Sequence, residues 1–191
     1  MSQTLLRNWY EWVRPKIGPR DYAVMVWGAV RKRPVVWSLV ALVALTGAIF
    51  GQFYRIAFNL TPSVPYSVLL VEKKQPAPGT LRHNDLVAWR WQGGLHYGRG
   101  ALFVKFVKGL PGDTVERRGP TGRDFYINGE YVGTAKTKSR FGDTLEANRA
   151  MVVPPAHYYL FAPHRDSLDS RYAMTGYVPH AYLVGRAHVV F

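Results

Sequence analysis

The chain has no cysteine and few acidic residues. Among its 191 residues, 12 are Asp or Glu and 25 are Lys or Arg, which gives a formal net charge of +13. Because there is no thiol, disulfide bonds, thiol catalysis and cysteine-ligated zinc sites are excluded. A cysteine-free chain also suits an oxidising compartment.

Several catalytic motifs are absent as well. The six histidines show no H-E-x-x-H or similar ligand spacing, so we expect no metal and no other cofactor. No G-x-S-x-G sequence occurs to support a Ser-His-Asp triad. That triad stays open as an alternative, because His164 lies close in sequence to Asp166 and Asp169.

The basic charge has two physical interpretations, since a basic surface attracts both nucleic acid and anionic lipid headgroups. The sequence contains no nucleic-acid-binding motif, and its one dense basic run is Arg31-Lys32-Arg33. We therefore expect membrane lipids, and not nucleic acid, as partners of this charge.

One long uncharged run follows the basic one. Pro34 to Tyr54 contains no charged residue, and as a helix it is about 31 Å long, the thickness of a bilayer's hydrocarbon core. We predict a single transmembrane helix over residues 34–54. A cleaved signal peptide fits less well, because both the basic segment and the apolar run are too long.

The flanks of this helix predict its orientation. Residues 1–33 contain seven Lys or Arg and two acids, and the positive-inside bias places such a segment in the cytoplasm. Its first half has leucines and tryptophans at helical spacing, typical of a helix at a membrane surface. Residues 55–191 then form an extracytoplasmic domain, periplasmic if the protein lies in the inner membrane of a Gram-negative bacterium.

The outer segment is predicted to be an all-β domain with short loops, so the chain as a whole is mainly β. Its short apolar runs are rich in Val, Tyr and Phe and alternate with turn residues. Asn128-Gly129 is a strong hairpin turn, because both positions of a type I′ turn need positive φ. The predicted strands are Ser67–Glu72, Leu86–Trp91, Ala101–Val107, Thr114–Arg117, Phe125–Ile127, Tyr131–Val132, Met151–Val153, Tyr158–Phe161 and Gly185–Val190.

Two lysines interrupt the most apolar of these strands, Ala101–Val107 and its continuation. Side chains alternate across a strand, so Lys105 and Lys108 point to opposite faces. Lys108 adjoins the Gly-Leu-Pro-Gly-Asp turn and reaches solvent easily, whereas Lys105 lies mid-strand. A buried lysine tends to lose its proton and become a base. The alternative is an edge-strand lysine whose stem is packed and whose head is wet.

Two further segments contain candidate functional groups. Ser63 lies between Pro62 and Pro65, which restrict the backbone on both sides, so it is either a rigid nucleophile or part of an extended linker. Asp169 and Arg171 share a parity, which makes a local ion pair possible. Such a pair orders a turn or orients a neighbouring group.

Taken in order, three blocks resemble the type I signal peptidase family, the membrane-anchored serine–lysine peptidases. Ser63-Val64-Pro65 follows the predicted transmembrane helix, as the nucleophile block does in that family. Lys105 to Asp113, KFVKGLPGD, is similar to the lysine block, where the catalytic lysine stands four residues before the first glycine. Residues 153–187 are similar to the last block, through VPPAHYYLF, DSLDSRY and GYVPHAYLVGRA.

The resemblance implies a role for each matching residue. Ser63 corresponds to the nucleophile and Lys105 to the general base. Four supporting positions are an oxyanion-hole hydroxyl at Thr61, a serine that hydrogen-bonds the lysine at Ser167, and a pair that holds the site together at Asp169 and Arg171. Small pockets selecting Ala-like side chains are implied by the family as well.

The chain also departs from the family pattern. Its nucleophile block is Ser-Val-Pro, where relatives commonly have Ser-Met-x-Pro-Thr. Ala162-Pro163-His164-Arg165 stands where many relatives have Gly-Asp-Asn-Arg, and residues 114–150 leave no room for the large extra domain of some relatives. The short block and small size resemble the conjugal-transfer branch, whose members process pilin precursors for a plasmid-transfer secretion system.

The expected function is therefore that of a membrane-bound serine endopeptidase whose partner is a precursor protein, either a signal-peptide precursor or a pilin precursor. The acyl-enzyme passes to water, which trims the product, or to an amine, which cyclises it. The alternatives are a general signal peptidase I of the secretory pathway and a non-catalytic membrane scaffold. A self-cleaving repressor with a related fold is disfavoured by the transmembrane helix.

Overall fold

The computed structural model describes residues 18–59, 61 and 63–191. The predicted membrane-surface segment near the N-terminus therefore lies largely outside the described residues, as do Leu60 and Pro62 beside the candidate serine. The chain divides after Phe50 into two compact units.

The first unit is helical. Helix α1 covers Pro19–Lys32, and its first turn is closed by the Gly18 N–H, which donates to Asp21 Oδ2 at 2.8 Å. Proline suits this first helical position because its missing N–H would have no partner there. The helix ends at the basic run, where the Arg33 N–H donates to the last carbonyls.

Helix α2 covers Pro34–Phe53, one residue less than the predicted span, and continues a few residues into the second unit. The hydroxyl of Thr46 is satisfied within the helix, since its Oγ1 donates to the Leu42 carbonyl at 2.8 Å. In the part of the chain that the structure describes, α2 alone is long and apolar enough to cross a bilayer. The predicted apolar helix is thus present.

The second unit is built from eleven strands in two sheets, all paired antiparallel, which confirms the mainly β prediction. The larger sheet has the order β1-β2-β11-β3-β4-β9-β10 and the smaller one β7-β6-β5-β8. The strands are β1 Tyr54–Phe58, β2 Val68–Glu72, β3 Leu86–Arg90, β4 Leu102–Gly109, β5 Thr114–Arg118, β6 Asp124–Ile127, β7 Glu130–Thr134, β8 Met151–Val152, β9 His157–Phe161, β10 Val178–Pro179 and β11 Leu183–Val189.

Each strand predicted from the sequence is present, with ends shifted by one or two residues. The Asn128-Gly129 hairpin joins β6 to β7 with positive φ at both residues, as predicted. Strands β1 and β10 were not predicted. β1 follows α2 without a break and exists through its pairing with β2, from Tyr54 opposite Glu72 to Phe58 opposite Val68. Two-residue β10 contains a proline and has no strand pattern of its own.

The larger sheet buries a core on each face. In β3, Val87 and Trp89 join the larger core while Leu86 and Ala88 join the smaller one, so this strand has no polar face. Alternation along β4 puts Val107 in the larger core and Val104 against the smaller one. Lys105 shares the parity of Val107 and so points toward the side of the larger core.

Gly185 marks the tightest backbone contact in the larger sheet. A Cβ at this position would lie 1.9 Å from the carbonyl oxygen of Glu72 on β2. β11 is also irregular here, since its register against β3 shifts between Leu183 and Gly185. Only glycine lets the two backbones approach this closely.

We expect Gly185→Ala to lower the free energy of unfolding by about 2–3 kcal/mol, because the two strands must separate to admit the methyl group. Denaturant unfolding of the full chain in detergent measures this change. Gly98→Ala is the matched control, because its Cβ would meet no atom within 4 Å, and we expect a change below about 1 kcal/mol there. Equal stability of the two variants would contradict the contact.

Candidate active site

A cleft of about 420 Å³ opens between edge strand β1 and the first half of β4. Four of the residues singled out by the sequence line it: Thr61, Ser63, Lys105 and Ser167. Asp169 and Arg171 are buried outside the cleft, and Arg171 contacts the Ser167 carbonyl. The three blocks that are distant in sequence therefore meet at one concave surface.

Both long walls of the cleft present strand edges. β1 ends the larger sheet, so its outer edge has no strand partner among the described residues. β4 pairs with β3 along Leu102–Phe106, but its pairing with β9 begins only at Phe106. The segment from Leu102 to Lys105 is therefore free on the side of the cleft, and its backbone groups are available to an extended peptide.

Lys105 is buried, with only 4% of its surface exposed. Its Nζ donates a hydrogen bond of 2.7 Å to Ser167 Oγ and lies 5.6 Å from the centre of the Phe103 ring. Burial lowers the pKa of Lys105 from 10.5 to about 8, although the carboxylate of Asp169 partly opposes this shift. The side chain is therefore far easier to deprotonate than a lysine in water.

Lys108 has a different environment three residues further along the strand. Its side chain is only partly buried, and its Nζ donates to Asn84 Oδ1 at 2.6 Å in a solvent-exposed hydrogen bond. Lys108 does not line the cleft. The two lysines thus lie on opposite faces of β4, as strand parity predicts, and Lys105 is the more deeply buried of the two.

Ser63 lies in a turn and is half-buried. Its Oγ is 3.2 Å from Thr61 Oγ1, and its N–H donates to no acceptor among the described residues. Between described atoms there is no hydrogen bond from Ser63 to Lys105; the amine contacts Ser167 instead. Catalytic contacts are often long in unliganded enzymes and tighten when substrate binds.

Asn59 holds the serine turn together. This role was not predicted from the sequence. Its Nδ2 donates to the carbonyls of Val64 and Tyr66, at 2.8 and 2.9 Å. Its Oδ1 lies 3.4 Å from both the N–H and the hydroxyl of Thr61. The available signal was an Asn just before a proline-rich turn, a position where the side chain commonly replaces backbone hydrogen bonds.

Asp169 and Arg171 form a buried bidentate ion pair, as their shared parity suggested. Arg171 Nε and Nη2 donate to the two carboxylate oxygens at 2.9 and 2.8 Å. Arg171 is 3% exposed and Asp169 is 0% exposed. The carboxylate also accepts from the Ala162 N–H at 3.2 Å. Bidentate geometry and extra donors are what make a buried pair tolerable.

The remaining donors of Arg171 bind backbone carbonyls. Nη1 donates to the Thr134 carbonyl at 3.1 Å, and Nη2 reaches the carbonyls of His164 and Ser167 at 3.3 and 3.4 Å. The guanidinium therefore ties the segment before it to β7. Because Ser167 belongs to that segment, Arg171 fixes the hydroxyl that Lys105 contacts.

The alternative Ser-His-Asp triad is not assembled. His164 lines the cleft, but its Nδ1 accepts from the backbone N–H of Asp166 at 3.2 Å. The carboxylate of Asp166 binds Lys136, and that of Asp169 binds Arg171. Among the described residues neither acid is left to orient the imidazole toward Ser63. In the described ranges, no group of three or more His, Asp or Glu residues could hold a metal ion.

The family model for signal peptidase, peptidase S26, matches residues 30–191 of this chain. The match includes helix α2, the serine turn, β4 and the segment around the buried ion pair.

Individual relatives agree with the family model. The chain is 29% identical to signal peptidase I U of Bacillus subtilis over 84% of this chain and 87% of that protein. It is 30% identical to signal peptidase I of Pseudomonas aeruginosa over 47% and 43% of the two chains. It also aligns with a crystal structure of a signal peptidase I from Enterococcus faecalis V583, at 27% identity, 60% and 100% coverage and a TM-score of 0.39. With most of its length matched by the family model, the chain belongs to the signal peptidase family, peptidase S26, and is a serine peptidase.

Proposed function

We propose that this protein is a membrane-anchored endopeptidase that cleaves signal or leader segments from exported precursors, with Ser63 as nucleophile and Lys105 as general base. The observation that supports this most is the buried amine of Lys105, which lines the same cleft as the Ser63 hydroxyl. A serine hydroxyl is a weak nucleophile unless an adjacent base takes its proton.

The lowered pKa makes Lys105 suitable as that base. A pKa of about 8 leaves roughly one amine in ten neutral at pH 7, against roughly one in three thousand for a pKa of 10.5. The hydrogen bond to Ser167 keeps the amine on the cleft side of β4. Ser167 in turn is positioned by the Asp169–Arg171 pair.

In the proposed reaction, Ser63 Oγ attacks the scissile carbonyl while Lys105 Nζ accepts its proton. Lys105 then protonates the leaving amine, and an ester links the precursor to Ser63. Attack by water, with Lys105 again accepting a proton, releases the acid product. The N–H of Ser63, which donates to no acceptor among the described residues, and the hydroxyl of Thr61 are the donors that we assign to the oxyanion.

The unpaired edges of β1 and β4 suggest how the precursor binds. An extended peptide between them completes a strand ladder on both sides, and its side chains alternate between the walls. Membership of the family implies small side chains next to the cleavage point. The substrate is thus an extended, unfolded segment of a precursor protein.

Helix α2 supplies the proposed membrane anchor. β1 begins one residue after α2 ends, and Ser63 follows after nine further residues, so the chain leaves little room between anchor and nucleophile. The positive-inside rule puts the basic residues before α2 in the cytoplasm and the peptidase domain in the periplasm. A precursor held by its own apolar segment then presents its cleavage point just outside the bilayer.

Ser63→Ala and Lys105→Ala test the proposed dyad. We expect each to reduce kcat/KM for a fluorogenic precursor peptide by about 10³-fold or more, because either loss removes activated attack. Lys108→Ala and His164→Ala are the matched controls, and each is expected to retain most of the activity. Thermal unfolding of each variant separates a catalytic defect from a folding defect.

Full cleavage by Lys105→Ala would end the proposed dyad. An inactive but folded His164→Ala, with activity left in Lys105→Ala, would support the triad instead.

We further propose that the precursor is a pilin of a conjugative type IV secretion system. Two features support this narrower substrate: the short Ser63-Val64-Pro65 block, and the small sheet of residues 114–152, where some relatives have a large extra domain. A general signal peptidase I is the second candidate, and the similarity to two proteins of that name favours it.

Mass spectrometry of a candidate pilin co-expressed with the full chain distinguishes these functions. We expect a shortened pilin with the active chain and uncut precursor with Ser63→Ala. A product lighter by one water than the linear fragment is a ring and shows that an amine attacks the acyl-enzyme. Uncut pilin together with efficient cleavage of general secretory precursors would assign the second function.

A further inference from the structure

The cleft contains two arginines that the proposed reaction does not use. Arg55 lies on β1, Arg140 lies in the loop between β7 and β8, and both line the cleft with their side chains exposed. Neither forms an ion pair with any residue that the structure describes. Arg140 Cζ lies 4.6 Å from the centre of the Phe141 ring, and its guanidinium donates no hydrogen bond to a described residue.

Among the described residues that line the cleft, no acid is left unpaired to balance them. Asp166 is the one acid among its lining residues, and its carboxylate is bound by Lys136. The hydrogen bond from Lys136 lowers the pKa of Asp166, so this acid is ionised and neutralised by its partner. Two uncompensated guanidinium groups therefore give the cleft a positive field, which favours ligands of opposite charge.

A folded loop holds Arg140 in place. The Ser139 N–H donates to the Asp143 carbonyl at 2.9 Å, and Ser139 Oγ donates to the Asp143 carboxylate at 2.7 Å. Phe141, under the guanidinium, packs against His96 with ring centres 4.8 Å apart and ring planes tilted by 60°. His96 Nε2 also contacts Asp143 Oδ2 at 3.2 Å. The loop is thus fastened to the β3–β4 connection and presents its arginine from a defined position.

Arg140 also shares two cavities with Ser167, the residue that binds the Lys105 amine. A second, small cavity of about 30 Å³ is lined by Arg140, Ser167 and Leu168, and the same three residues line the main cleft. Ser167 is the direct partner of the Lys105 amine. Arg140 therefore belongs to the wall next to the catalytic groups, whereas Arg55 lies on β1, eight positions before Ser63.

We infer that Arg140 is a specificity-determining residue, which binds the carboxylate of an Asp or Glu side chain of the precursor close to the scissile bond. A guanidinium binds a carboxylate through two parallel hydrogen bonds. A substrate strand that fills the cleft excludes water from this pair and so strengthens it. A lysine at the same substrate position meets repulsion instead. This inference rests on the proposed peptidase function.

The test uses the purified full chain in detergent and three sets of fluorogenic precursor peptides. Each set varies one position close to the cleavage point, which is Glu in one peptide, Gln in a second and Lys in a third. The value of kcat/KM is measured for every peptide. We expect one position at which Glu exceeds Gln by about tenfold or more and Lys falls below Gln. Typical charge-assisted contacts account for effects of this size.

Charge reversal then identifies the residue responsible. Arg140→Glu should invert the Glu-to-Lys ratio at that position, and Arg140→Gln should bring it near one. Because each ratio is taken within one variant, a partial loss of folding or of overall rate cancels. Arg149→Glu is the matched control. Arg149 is an exposed arginine near the end of the same loop and lines neither cavity, so its substitution should leave the ratio unchanged.

A chain that cleaves Glu, Gln and Lys peptides equally at every position would overturn the inference. So would an Arg140→Glu or Arg140→Gln variant that keeps the original ratio, or an Arg149→Glu variant that inverts it. Each of these outcomes leaves the dyad intact, because cleavage still depends on Ser63 and Lys105. Cleavage that persists in Ser63→Ala is the separate result that contradicts the proposed function itself.

Discussion

Burial of the Lys105 amine is the constraint on which the rest of the site depends. Lowering its pKa from 10.5 to about 8 costs the folded protein roughly 3 kcal/mol when the amine is protonated. The packing of β4 offsets this cost, and Ser167 Oγ accepts a hydrogen bond from the amine. Arg171 holds Ser167 in place through its contact with the Ser167 carbonyl. In the mechanism we propose, the ion pair of Asp169 and Arg171 acts through Ser167.

The sheet topology places this amine at an open edge. β4 is interior to the larger sheet along its second half but loses its β9 neighbour toward its start, and Lys105 stands at that transition. β1 provides the opposite edge, and Asn59 at its end holds the turn that contains Ser63. A precursor strand can therefore lie between two edges with its carbonyl directed at the serine. In our proposal, Arg140 also gives this cleft a preference for an acidic side chain near the scissile bond.

Those parts of the structure that local chemistry determines were predictable from the sequence. The uncharged run of α2, the Asn128-Gly129 hairpin and the different faces of Lys105 and Lys108 follow from length, turn preference and strand parity. β1 was missed because its strand character comes from pairing with β2, a contact between distant residues. The roles of Asn59 and Arg140 were missed for the same reason, because each role depends on which groups surround the side chain after folding.

The most direct test of this account is the pKa of the Lys105 amine itself. Carbon-13 NMR of lysine labelled at Cε, in the full chain in detergent, follows the titration of each lysine, and Lys105→Arg identifies the resonance. The account predicts a titration midpoint near pH 8 for Lys105. A midpoint near 10.5, the value for a solvated lysine, would mean that the amine is not held as a base and would contradict the proposed mechanism.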